Sequence, residues 1–170
     1  MRGGVEERKN TLNILDAFRG IPDAHPDAKL VIAGGASLLD HREYQREFRR
    51  RLAEMGEAAA SIRLLGVIAD GDMPRLYRLA SAPVFASVRE GFGLCVLEAM
   101  ASGVPVVVSS IEPFVSYLSP EDAIWCDPAS AKSIAEAMAR ALKEEFAGPL
   151  RGRGPALAAR FDWRSVARPA

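Results

Sequence analysis

The chain holds few of the residues on which metal and disulfide chemistry depends: two cysteines and two histidines in 170 residues. Cys95, Cys126, His25 and His41 stand at spacings that no zinc site or disulfide framework uses. That excludes a small stapled fold and makes a reducing, cytoplasmic compartment the expected location. Net charge is lacking as well, with 22 basic side chains against 22 acidic ones. Such a balance supplies no long-range field to gather nucleic acid or an anionic membrane. The basic clusters at residues 46–51 and 151–153 are local, and the first reads as the solvated face of a helix. Long apolar runs are missing too, since none approaches the ~20 residues needed to span a bilayer. Internal repeats and low-complexity tracts are absent, which excludes solenoids and linkers.

What is present is the balance of a globular domain, 49% hydrophobic and 26% charged, at a length that makes residues 1–170 one domain with a real core. Apolar and amphipathic segments alternate. Asn10 or Thr11 is placed to cap a helix with Leu12, Leu15 and Phe18 inward, stopped near Gly20 and Pro22. A strand is expected at 29–33, a charged helix at 40–56 with Tyr44, Phe48, Leu52 and Met55 inward, and a strand at 62–65. A short helix at 72–81 turns Met73, Leu76, Tyr77 and Ala80 inward. Strands at 83–88, 104–108 and 123–126 alternate with a helix from about Leu94 and an alanine-rich helix at 130–146. A further helix is expected at 149–160. Strands separated by single helices imply an α/β fold, a Rossmann-like doubly wound parallel sheet with helices on both faces. Gly3 and Gly4 supply the turn that follows a first strand, yet no strand precedes them. In such folds the first strand is central, so the first strand is expected to be truncated and the chain to be a piece of a longer protein. A partner chain filling the gap, with self-association through the truncated sheet, is a further expectation.

Residues 90–105 carry the most chemical information. They read Glu90-Gly91-Phe92-Gly93-Leu94-Cys95-Val96-Leu97-Glu98-Ala99-Met100-Ala101-Ser102-Gly103-Val104-Pro105. A glycine-punctuated loop leads from a strand into an apolar helix, with one carboxylate before the glycines and another in the helix. Glycines let backbone amides approach an anion closely, and first-turn amides lack intrahelical partners. A phosphate suits that place, and Glu90 and Glu98 can accept hydrogen bonds from hydroxyl groups. Phosphate and hydroxyls together suggest a nucleotide-sugar. Cys95 has no histidine near it in sequence and reads as a small packing residue.

This stretch resembles the donor-binding C-terminal half of the retaining glycosyltransferases of the group 1, or family 4, class, built as two facing Rossmann-like domains (GT-B). The Glu, seven residues, Glu signature is matched by Glu90 and Glu98, with the glycines, helix and flanking strands around them. Weaker similarity covers nearly the whole chain. The segment at 3–10 resembles the opening diphosphate loop, Leu65-Gly66-Val67 with Asp70 the nucleoside loop, and Asp122, Ala123, Asp127 and Pro128 the next turn of the family. Phe161-Asp162-Trp163 resembles the signal before the helix that crosses back to the other domain. The resemblance implies a UDP-, GDP- or ADP-sugar donor, with Glu90 on a hydroxyl of the transferred sugar beside Gly91, Phe92 and Gly93. It implies amides of Leu94, Cys95 and Val96 on the distal phosphate, Glu98 on the ribose, and Lys9 with Arg8 on the leaving diphosphate. Val67 and Ile68 frame the base through main-chain groups. Gly4 departs from relatives that carry an arginine there.

Neither a cofactor nor a metal is implied, and a protein without a metal must neutralise the diphosphate with its own groups. A carbohydrate or lipid-linked acceptor is implied in an N-terminal domain absent from this chain, and a peripheral place at the inner membrane face for the whole protein. Alone, the piece is expected to be inactive. Two other classes compete. A glycoside hydrolase or phosphorylase could use two glutamates as acid and base, although the glycine loop favours phosphate. A non-catalytic nucleotide-binding module on a Rossmann-like frame is the other, although no Gly-x-Gly-x-x-Gly follows a first strand.

Overall fold

The structure is a computed structural model, and it describes residues 4–35 and 42–161. In chain order the helices are α1 (Thr11–Phe18), α2 (Ile21–Ala24), α3 (Arg42–Ala53), α4 (Met73–Leu79), α5 (Leu94–Ala101), α6 (Phe114–Tyr117), α7 (Ala131–Ala141) and α8 (Glu144–Ala158). The strands are β1 (Leu30–Ala33), β2 (Ile62–Gly66), β3 (Val84–Phe85), β4 (Val107–Ser109) and β5 (Ile124–Cys126). All pairings are parallel, and the strands fall into two sheets, β1-β2 and β3-β4-β5.

Alternation along the strands divides the core. Val84, Val107, Ile124 and Cys126 join Ile14, Leu15, Phe18, Ile134 and Met138 on one face. Phe85, Val106 and Val108 join Val96, Met100, Phe114 and Leu157 on the other. Helices α1 and α7 therefore cover one face, and α4, α5 and α8 the other. Each such side chain fully withdrawn from water stabilises the fold by roughly 1.5–3 kcal/mol.

Leu30 and Val31 of β1, Pro83 and Val84 at the start of β3, and Tyr77 and Met138 line a mainly apolar cavity of about 340 Å³. Among the described residues no strand joins the two sheets across this gap.

Several boundaries differ from the sequence reading. Asn10 holds the N-cap position of α1, but in left-handed conformation (φ 60°) and with no side-chain cap bond. Its amide donates instead to the carbonyls of Ala86 and Pro128. Helix α1 stops at Phe18, close to Gly20 as expected, and Pro22 sits in the first turn of a new short helix, α2, where a missing N–H costs nothing. The expected break between 146 and 149 falls instead at Leu142 and Lys143, and α8 runs on through Pro149 and Pro155. Tertiary packing outweighs the proline penalty. Ala147, Leu150 and Leu157 are buried, and a Cβ on Gly154 would stand 2.8 Å from the Met100 carbonyl oxygen, so α8 lies backbone-close against α5. The strand expected at 83–88 is regular only at Val84–Phe85, because the chain then turns toward the site. Asp40, His41, Gly3, Asp162 and Trp163 lie outside the described residues, with the expectations that rest on them.

Candidate functional site

The site is built where the N-terminal segment crosses the C-terminal ends of the strands. Gly4 N–H donates to the Ala33 carbonyl at the end of β1, and Val88 N–H, just past β3, donates to the Arg8 carbonyl. A 3-10 turn at Glu7–Lys9 lies between them. Gly4 has φ 69°, and a Cβ there would come 2.4 Å from the Gly35 carbonyl oxygen. A side chain does not fit this backbone as it stands, an arginine included. Gly35 in turn abuts Val67, whose Cγ2 would stand 2.4 Å from an added Cβ.

Residues far apart in sequence meet at Glu90. Its Oε1 accepts from Lys9 Nζ at 2.5 Å and from the Ser87 hydroxyl at 2.9 Å, and its Oε2 accepts from Arg8 Nη1 at 2.8 Å. Arg8 also donates through Nη2 to Glu6 at 2.9 Å. The side chains of Lys9 and Glu90 are each only 8% exposed, whereas that of Arg8 is 43% exposed. Ser87 is itself held, since its carbonyl accepts from the buried Ser109 hydroxyl at 2.8 Å. A desolvated carboxylate with this many donors keeps one orientation.

The loop after Glu90 enters α5 through Gly93, the N-cap residue, at φ 79°. Phe114 and Tyr117 fill the space where a Gly93 side chain would be. Tyr117 donates to the Phe92 carbonyl at 3.1 Å, and its ring stacks on Phe92 at 5.6 Å between centroids. Phe161 meets both rings edge-on. Burial, and secondarily the Glu90 charge, holds the Tyr117 phenol well above its ordinary range, so it remains a neutral donor. Gly91, Phe92 and Leu94 are exposed, Cys95 is half-buried and Val96 is buried. The Val96 amide closes the first turn onto the Gly93 carbonyl at 2.9 Å. Glu98 is exposed on α5, and the buried Tyr77 donates to its Oε2 at 3.3 Å. Val67 is 80% exposed past β2, while Ile68 packs against the second core cluster.

Lys9, Arg8 and Glu90 are thus brought into direct contact. Glu98, Val67 and Ile68 take their places on neighbouring elements. Sequence reading missed Ser87, Glu6, Tyr77 and Tyr117 as supports. Ser87, three residues before Glu90, was the one with a local signal. Among the described residues no group of three His, Cys, Asp or Glu side chains converges as a metal-binding set, and no helix is long and apolar enough to cross a membrane.

Burial, helped by the Asp127 charge, pushes the Cys126 thiol up to about 12. Iodoacetamide at pH 8 is therefore expected to modify Cys95 and leave Cys126 intact until the protein is denatured, as intact-mass measurement will show. Equal modification of both thiols in the folded protein contradicts that burial.

The family model described as Glycosyl transferases group 1 matches residues 1–153. The chain belongs to this family. The O-antigen chain mannosyltransferase B of Escherichia coli is 31% identical over 165 residues, covering 96% of the chain and 42% of that protein. The glycogen synthase of Mycobacterium tuberculosis is 29% identical over 168 residues, covering 97% of the chain and 39% of that protein. The chain thus spans about two fifths of the length of these curated relatives. Among solved structures, the C-terminal domain of the group 1 glycosyl transferase LpcC from Francisella tularensis matches with TM-score 0.81 and 25% identity, covering 94% of this chain and 83% of that one. Anabaena HepE in complex with UDP matches with TM-score 0.85 at 19% identity, covering 96% of this chain and 44% of that one, a likeness of fold. The architecture is accordingly that of one half of a GT-B glycosyltransferase.

Proposed function

We propose that this chain is the donor-binding half of a retaining glycosyltransferase that moves a sugar from a nucleoside-diphosphate sugar to an acceptor hydroxyl. The observation that carries the reading is the meeting of Lys9, Arg8 and Glu90 beside the glycine entry to α5. The bond between the sugar C1 and the distal phosphate oxygen breaks, and the acceptor oxygen takes its place on C1. Negative charge gathers on the leaving diphosphate, and Lys9 and Arg8 with the amides of Leu94 and Cys95 are the groups to receive it. Val96, whose amide is engaged with Gly93, contributes by closing the turn. Glu90 accepts from a sugar hydroxyl, Glu98 from the ribose, and the main chain at the exposed Val67 and the half-buried Ile68 borders the base. Both Glu90 oxygens serve as acceptors, which suits hydroxyl recognition better than the proton delivery a hydrolase needs. The acceptor, carbohydrate or lipid-linked, is assigned to a facing domain outside this chain, and no divalent metal is invoked. UDP bound to the Anabaena neighbour is consistent with this class of donor.

Calorimetric titration of the chain with UDP, GDP and ADP tests the reading. One nucleotide should bind, and Glu98→Ala should weaken it by roughly tenfold or more, the worth of hydrogen bonds to a charged group. Lys9→Ala should weaken the matching nucleotide-sugar by a similar factor. Unchanged affinity in both variants removes the assignment.

A further inference from the structure

We infer that Glu90 acts as a stand-in anion on Arg8 and Lys9, so that a diphosphate gains these cations fully only when the attached sugar draws the Glu90 carboxylate away. The inference rests on the reading that Arg8 and Lys9 face the diphosphate, and it adds a means of telling the intact donor from the bare nucleotide.

The geometry is that of an occupied anion site. One Glu90 oxygen lies 2.5 Å from Lys9 Nζ and the other 2.8 Å from Arg8 Nη1, so a single carboxylate spans both cations. Glu6 takes a second arm of Arg8 at 2.9 Å. Two carboxylates therefore balance two cations, and the cluster offers no net positive charge to an incoming phosphate. Lys9, with its side chain 8% exposed, has little water to turn to if Glu90 withdraws. Its partner must be exchanged for another anion rather than simply lost.

A nucleoside diphosphate brings the anion but nothing for Glu90 to hold, and the two acids compete for the same donors. A nucleotide-sugar brings both. Its hydroxyls give the carboxylate new donors as the phosphate oxygens take over Lys9 and Arg8. Sugar and diphosphate binding are then coupled, and the coupling is reciprocal. The product nucleotide, stripped of its sugar, meets the returning carboxylate and is displaced. Ser87 also donates to Oε1, at 2.9 Å, and helps to hold Glu90 on the two cations.

The probe is inorganic pyrophosphate, which carries neither base nor sugar, titrated by calorimetry into the full chain. Glu90→Gln should bind it roughly tenfold more tightly than the wild type, one charge-assisted contact regained. Adding Lys9→Met to that variant should cancel the gain. Glu6→Gln, which relieves Arg8 alone, should tighten pyrophosphate by a smaller factor, roughly threefold. Unchanged or weaker binding in a folded Glu90→Gln overturns the inference. If circular dichroism shows that variant unfolded, unchanged binding in Glu6→Gln overturns it instead. Loss of UDP affinity in Glu98→Ala with no gain in Glu90→Gln also overturns it and leaves the nucleotide reading standing. A gain in Glu90→Gln with UDP affinity unaffected by Glu98→Ala supports the anion exchange while removing Glu98 from the nucleotide site.

Discussion

Replacing Gly93 by alanine is expected to lower the melting temperature by roughly 6–12 °C and to abolish nucleotide binding. The added Cβ would stand 2.2 Å from Phe114 Cε1, 2.9 Å from Phe114 Cζ and 3.2 Å from the Tyr117 hydroxyl. No pair of heavy atoms tolerates the first of these distances. Phe114 is wholly buried and cannot swing away without opening the second core cluster. Forced overpacking of this kind costs about 1–3 kcal/mol, and the left-handed backbone at φ 79° adds about 1–2 for any residue with a Cβ. The alternative is a shift of the loop, which moves Phe92 off Tyr117 and displaces the first turn of α5. Either way the amides at the helix start leave their places. Thermal melting followed by circular dichroism, with calorimetric titration of the nucleotide that the wild type binds, gives both readouts. A variant that melts with the wild type and binds equally well shows that the loop has room to spare and that the Gly93 assignment is wrong.

Asn10→Ala should be nearly as damaging, at about 2–4 kcal/mol of stability, for a reason unrelated to helix capping. The Asn10 amide donates to the Ala86 carbonyl at 2.9 Å and the Pro128 carbonyl at 2.7 Å, both buried contacts. One side chain thus ties the N-terminal segment to the end of β3 and to the turn after β5. Alanine removes the donor from the Ala86 carbonyl, leaves the Pro128 carbonyl with the Asn13 amide at 3.1 Å, and must also hold φ 60°, which asparagine tolerates far better. Asn10→Gly separates the two contributions, because it relieves the backbone and still lacks the amide. Its melting temperature should fall between those of wild type and Asn10→Ala. Since Lys9 immediately precedes this anchor, affinity for a nucleotide-sugar should drop in both variants. Equal stability of Asn10→Ala and wild type in a urea titration contradicts the cross-linking role.

The same residues show how far local reading reaches. Periodic apolar positions were enough to place the strands at β1, β2 and β5 and the helices α1, α4, α5 and α7, because each buries one face or stripe against the rest. The glycine loop between β3 and α5 was legible for the same reason: its backbone requirement sits in the residues that meet it. Asn10, by contrast, looked like a cap because short polar residues before a helix commonly are. Its true partners lie 76 and 118 residues away. The prolines of α8 misled in the opposite direction, since a proline's local penalty says nothing of the neighbouring helix that outweighs it.

Patterning and the two spaced glutamates with their glycines were therefore sufficient for the α/β architecture and the membership in a sugar-transferring family. Those features depend on periodicity and on backbone freedom, both of which are properties of neighbouring residues. Only the folded chain could pair Lys9 with Glu90 across 81 positions, seat Ser87 beneath that carboxylate and hold Tyr77 against Glu98. A buried ion pair is a matter of distance and desolvation in three dimensions, and neither exists until the strands have brought their ends together.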